Sequence, residues 1–273
     1  MNMGTTPRAR DLGIPLLGTP GRWNAITDVA GVQVGYTTLW SGSGVLKVGT
    51  GPIRTGVTAI LPRGRNDRRP CFGASFALNG SGEVTGLTWL DERGLFDGPI
   101  LITNTHCVGT VRDSAIQWMR LNGWEFDWSI PLVGETYDGR FSDINGGHVR
   151  SEHVFAALDG AHGGQILEGN VGGGAGMITY EYKGGTGTAS RQLDRTDGAY
   201  TVGVLVQSNY GKRPQLRIAG IPVGAEFLRD LPQFLDPTIL SAEMRERHSS
   251  WCRPKDGSII VVVITDAPLL PHQ

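Results

Sequence analysis

Near one end of the chain, Asp256-Gly257-Ser258 is followed by an apolar, largely β-branched run, Ile259-Ile260-Val261-Val262-Val263-Ile264. Such a run reads as a fully buried strand, with Ser258 at its first position on the rim of a sheet. Were the Gly257–Ser258 bond cut, Ser258 would carry both a hydroxyl and a free α-amine. An α-amine, with a reference pKa of about 7.7, can serve as base for its own hydroxyl. Taken alone, these residues fit a turn ahead of a core strand more simply.

Three other residues end strand-like segments with groups that could assist a nucleophile. Asn209, in Gln207-Ser208-Asn209-Tyr210-Gly211, could donate its amide to a developing oxyanion, although Asn before a glycine turn is equally natural. Glu135 could bind a substrate ammonium, and Tyr137 could donate to an oxyanion. Each, alone, also reads as a turn residue.

These residues must be positioned by the elements before them. Val29–Thr38 alternates and predicts a strand; Gly56–Leu61, Pro99–Thr103 and Ile130–Thr136 predict three more, the last turning at Tyr137-Asp138-Gly139. Val108–Leu121 has helical spacing, with Val108, Val111, Ala115, Ile116 and Met119 on one face and Asn104 or Thr105 as cap. A second helix is expected over His148–Leu158. Met177–Tyr182 and Tyr200–Gln207 read as strands, with Gly184–Arg191 in the same sheet. Residues 1–27 read as an arm lying on the surface or on a neighbouring subunit, and Ala242–His248 as a mobile loop.

Other motifs fail on detail. In Gly169-Asn170-Val171-Gly172-Gly173-Gly174-Ala175-Gly176, Met177 stands where a dinucleotide fingerprint needs glycine, so a tight bend in a sheet-rich core is preferred. His148, His153 and His162 lack metal-site spacing and read as surface residues. Gly73-Ala74-Ser75-Phe76-Ala77 is one residue short of a nucleophile elbow.

Composition narrows the classes. The 273 residues carry a formal net charge of −1 and no long basic block, against a nucleic-acid or membrane-surface partner. Cys71, Cys107 and Cys252 are odd in number and widely spaced, which argues against a disulfide framework and fits a reducing compartment. A start without a signal-peptide core, and no bilayer-length apolar run, make cytoplasmic residence the expectation.

Taken together, Arg8-Ala9-Arg10-Asp11-Leu12-Gly13-Ile14, Asn24 to Val32, Ile102-Thr103-Asn104-Thr105-His106, Gly169 to Gly174 and Asp256 to Ile260 resemble the L-aminopeptidase/D-esterase (DmpA) family, which includes the β-aminopeptidases. The resemblance implies a precursor that cuts itself into α and β polypeptides that stay together. The implied fold is mixed α/β, a four-layer αββα sandwich like N-terminal nucleophile hydrolases with different connectivity. Residues 1–273 would then be one autoprocessing domain, with 1–257 as the α polypeptide and 258–273 as the start of the β polypeptide. The resemblance makes Gly257–Ser258 the processing bond and Ser258 the nucleophile. It puts Asn209 in the oxyanion hole, Tyr137 in the same site, and Glu135 on the substrate amine. It implies no cofactor and no metal, a small peptide, amide or ester substrate, and a homo-oligomer of processed units. A second serine and a glutamate that complete the family's catalytic set lie later than Gln273, so the chain is expected to be incomplete at that end.

The leading expectation is therefore a self-cleaving serine aminopeptidase precursor. The rival is a truncated, catalytically impaired paralogue acting as an assembly or binding subunit. An autoprocessing acyltransferase is the third reading, and Ser258 counts against it, since threonine is usual there.

Overall fold

A computed structural model describes residues 7–226 and 257–273. The Ala242–His248 segment and Cys252 lie outside the described residues. The chain is mixed α/β, built around two sheets. The first joins β1 (Gln33–Ser41), β2 (Ile53–Leu61), β5 (Ile100–Asn104) and β6 (Leu132–Thr136) in the order β1-β2-β5-β6. Neighbours run antiparallel except β5 and β6, which are parallel. The helix between them, α2 (Val108–Leu121), makes the crossover that a parallel pair needs. The second sheet has β10 (Thr201–Ser208) between β9 (Gly185–Gln192) and β11 (Ile260–Thr265), antiparallel to both. Two short pairs complete the strands: β3 (Cys71–Phe72) with β4 (Leu95–Phe96), and β7 (Ile178–Thr179) with β8 (Tyr182–Lys183).

Two apolar layers follow from strand alternation. On one face of the first sheet, Val57, Ala59, Leu61, Leu101 and Val133 pack against Val111, Ala115, Trp118 and Met119 of α2 and Val154, Ala157 and Leu158 of α3 (Ser151–Asp159). On the other face, Val34, Ile60 and Ile102 meet Leu205 and Val262 of the second sheet. The described residues thus form three layers: helices, first sheet, second sheet.

Several sequence expectations shift. The α2 face is wider than the spacing suggested, with Trp118 and Ser114 fully inside and Ile116 only half-buried. Neither Asn104 nor Thr105 caps α2 itself: Asn104 caps the single turn Thr105–Cys107 that leads into it, its Oδ1 accepting from the backbone N–H of His106 and Cys107. Residues 1–27 are not wholly a surface arm: Ala25 and Ile26 are buried between the sheets. Asp28 holds them there, accepting from the N–H groups of Trp23 and Ala25 and from the Ser190 hydroxyl. That turn also delays β1 to Gln33. The α3 helix starts at Ser151, where the ring of His153 accepts from the Arg150 N–H. Met177–Tyr182 is a tight hairpin instead of one strand, because Tyr180 and Glu181 both take left-handed backbone (φ 52° and 62°). His148 is a half-buried partner of Asp143 at 2.8 Å, not a plain surface residue.

The largest correction concerns β11. Val262 is buried, but Val261 and Val263 are 52% and 59% exposed, so the run is not a fully buried strand. One face of this outer strand is open among the described residues. It is fixed at both ends: Ser258 N–H donates to the Asn209 carbonyl at 2.8 Å, and Asp266 accepts from Thr201 N–H at 2.7 Å.

Candidate active site

Antiparallel pairing of β10 with β11 sets Gln207 opposite Ile260, which carries Asn209 to Ser258 just past the ladder. The two residues meet twice. The Ser258 N–H bonds the Asn209 carbonyl, and Asn209 Nδ2 donates to Ser258 Oγ at 2.9 Å. Asn209 is itself held on both sides: Oδ1 accepts from Ile178 N–H, and Nδ2 also reaches the Tyr137 carbonyl, each at 2.9 Å. This fixes which end of the amide faces the serine.

The second donor comes from the residue just after β6. The backbone N–H of Tyr137 points at Ser258 Oγ, again at 2.9 Å. The Tyr137 ring is 47% exposed, and its hydroxyl lies over Gly139, where a Cβ would come within 2.6 Å of it. Tyr137 therefore meets the serine through its backbone. Two N–H donors converging on one hydroxyl oxygen favour negative charge there, because their dipoles are already oriented.

Gly257 is needed for space. Its φ is not left-handed, yet a Cβ would sit 2.4 Å from Tyr210 Cβ and 2.8 Å from both the Asn209 carbonyl oxygen and Tyr210 Cα. Gly257 therefore serves close packing and not a left-handed turn.

Glu135 alternates with Thr136 along β6 and faces the helix side of the sheet. It is buried, its carboxylate accepts from the Thr105 hydroxyl, and its N–H bonds the Glu83 carbonyl. Burial pushes its carboxyl above the usual range, opposed by the Thr105 hydrogen bond. Gly82 closes over it: a Cβ there would approach Glu135 Oε1 to 2.8 Å. The structure thus gathers Ser258, Asn209 and the Tyr137 backbone, and holds Glu135 nearby on the other face of the same strand.

Two buried groups escaped sequence reasoning. Asp138, read as a turn residue, is fully buried, and burial raises its carboxyl to about 7. Thr55 and Asn104 lie close enough to oppose that rise, but neither closes a hydrogen bond on either carboxylate oxygen. Gln207, read as the end of a strand, is fully buried between the sheets. The alternation Thr201, Gly203, Leu205, Gln207 is the signal that could have found it, since it puts an amide on the inward face. Among the described residues, no group of three or more His, Cys, Asp or Glu gathers to hold a metal, and no helix is long and apolar enough to cross a membrane.

Comparison with known proteins gives the family. The profile of Peptidase family S58 matches residues 24–273. The β-peptidyl aminopeptidase BapA of Sphingosinicella microcystinivorans is 54% identical over 268 residues, covering 98% of this chain and 66% of the relative. BapA of Sphingosinicella xenopeptidilytica is 48% identical with the same coverage, so the chain spans just under two thirds of these relatives' length. The L-aminopeptidase D-Ala-esterase/amidase of Ochrobactrum anthropi, described as a prototype for the serine aminopeptidases and a variant of the Ntn hydrolase fold, superposes with a TM-score of 0.85 at 43% identity. That match covers 98% of this chain and 70% of the other. A β-aminopeptidase of Burkholderia sp. gives 0.83 at 49% identity, covering 97% and 68%. The chain belongs to peptidase family S58, as the sequence resemblance implied.

Proposed function

We propose that the chain is a self-cleaving serine aminopeptidase precursor that removes N-terminal residues from short peptides, amides and esters. The observation that carries this reading is the convergence of Asn209 Nδ2 and the Tyr137 N–H on Ser258 Oγ, one residue after Gly257. The β-peptidyl aminopeptidases it resembles support the substrate class.

In self-cleavage, Ser258 Oγ attacks the Gly257 carbonyl carbon. The tetrahedral intermediate collapses with loss of the Gly257–Ser258 C–N bond, and the hydroxyl proton ends on the released amine. Water then hydrolyses the ester, leaving a Gly257 carboxylate and a Ser258 that bears both hydroxyl and α-amine. In peptide hydrolysis the same hydroxyl attacks substrate, with the amine as base and Asn209 and Tyr137 stabilising charge on oxygen. Glu135 takes the substrate ammonium, an interaction that pulls its raised pKa back down. The four-layer sandwich, with 1–257 as α polypeptide and Ser258 opening the β polypeptide, and homo-oligomers of processed units, belong to the same proposal.

Denaturing mass spectrometry of the purified 29.3 kDa chain tests it. Two fragments meeting at Gly257–Ser258 are expected, with Ser258→Ala intact. Cleavage that persists in Ser258→Ala removes the serine from the reaction.

A further inference from the structure

Asn209 and Tyr137 can act together only if the ends of β10 and β6, which belong to different sheets, keep a fixed separation. One buried amide spans that gap directly beneath the site. Gln207 Nε2 donates to Thr136 Oγ1 at 2.6 Å, and Thr58 Oγ1 donates to Gln207 Oε1 at 3.2 Å. Gln207, Thr136 and Thr58 are all completely buried. Thr136 immediately precedes Tyr137, and Gln207 lies two residues before Asn209 on the same face of β10. The contacts therefore form two successive amide rungs between the strands: Gln207 to Thr136, then Asn209 to the Tyr137 carbonyl. The outer rung touches Ser258; the inner one is sealed from water.

The glycine bend that fits no phosphate motif finds its use here. The Gly173 N–H donates to Thr58 Oγ1 at 3.2 Å. A Cβ on Gly173 would come within 2.8 Å of both Gln207 amide atoms and 2.9 Å of the Ile102 carbonyl oxygen. Only a bare backbone leaves room for the Gln207 head. An apolar side chain would fill the same layer without needing partners, since a buried amide adds little net stability and is costly when unpaired. What the amide adds is direction: its hydrogen bonds hold the strands in one register and at one distance.

We propose that Gln207, through Thr136, is a positioning residue that sets the Asn209–Tyr137 donor pair on Ser258, an inference that rests on Ser258 being the nucleophile. The test pairs a rate with an independent geometric readout. The double variant Gln207→Met with Thr136→Val removes the Gln207–Thr136 pair at similar volume and leaves only the Thr58 hydroxyl without its acceptor, so its melting temperature should fall by no more than one buried unpaired donor costs. Its self-cleavage should slow roughly tenfold, because a small misplacement of donors costs rate without unfolding anything. Thr136→Ser, which keeps the hydroxyl, should restore the wild-type rate, and Thr136→Val alone serves if the double variant does not fold. In heteronuclear spectra, the Asn209 side-chain amide should shift in the valine variants and stay in place in Thr136→Ser. Wild-type cleavage in the valine variants, or an unshifted amide, overturns the positioning role. A wild-type chain that never cleaves defeats the nucleophile reading instead, and the amide shifts then decide the positioning role by themselves.

Discussion

Replacing Asn209 by alanine tests the donor pair most directly. The side chain makes three hydrogen bonds of 2.9 Å, to Ile178 N–H, the Tyr137 carbonyl and Ser258 Oγ. Removing it leaves the Tyr137 N–H as the remaining donor on Ser258 Oγ. Asn209 Nδ2 holds the attacking oxygen in the resting chain; if it transfers that hydrogen bond to the carbonyl oxygen as the new bond forms, its loss costs about 3 kcal/mol, or roughly a hundredfold in rate at about 1.4 kcal/mol per decade. The site is partly open to water, which can replace some of the lost interaction, so a hundredfold is the upper end of the expectation. Folding suffers separately, by about 1–3 kcal/mol, because Ile178 N–H and the Tyr137 carbonyl lose their partner. The assay is a time course of fragment formation under acid quench, read by denaturing mass spectrometry and run well below the melting temperature. If folded Asn209→Ala cleaves as fast as wild type, the donor argument is wrong. If its rate deficit vanishes on cooling, stability and not charge stabilisation was at stake, and the argument fails equally.

Gly257→Ala should block or strongly slow cleavage and destabilise by about 1–3 kcal/mol, since its Cβ meets backbone atoms that cannot move aside; a melting curve with the same time course checks both. Asp138 binds its proton more tightly folded than unfolded, so its contribution to stability is greatest at low pH and is lost as pH rises through about 7. Asp138→Asn should therefore be more stable than wild type at pH 8 and flatten the melting-temperature profile between pH 4 and 8; a parallel profile in both proteins refutes this. Glu135→Gln should raise KM for substrates with a free N-terminal amine roughly 10- to 100-fold, the worth of a charged hydrogen bond, and leave self-cleavage intact. Equal KM values for the two enzymes would remove Glu135 from amine recognition.

The first sheet was largely legible because its strands carry local signals: apolar alternation in Val32, Val34 and Tyr36, and an apolar run before Asn104. Pairing is a non-local property, and no local pattern announced that β5 and β6 run parallel or that β10 lies between β9 and β11. Asn209 and Tyr137 stood out because each follows a strand, and Ser258 because it precedes one. Their meeting at one oxygen depends on register, and the Tyr137 contact is a backbone group that no residue type advertises. Asp138 and Gln207 were hidden because polar residues at strand ends ordinarily face water. Only the opposing sheet and the Gly172–Gly176 bend make those positions interior.

Among the described residues β11 is an outer strand of its sheet, and this alters what cutting the chain before it would mean. While Gly257 and Ser258 are joined, the strand is a tethered segment whose local concentration beside β10 is high whatever its affinity. Once the bond is broken, the segment that carries β11 is joined to the rest by non-covalent contacts, which among the described residues include its ladder to β10, the buried Val262 and the two end contacts at Asn209 and Thr201. Residence time then replaces chain connectivity as the quantity that keeps Ser258 in place. Non-denaturing separation would report one species before and after the cut, and dilution or mild denaturant, at protein concentrations where the intact chain stays folded, would strip the serine from its own donors.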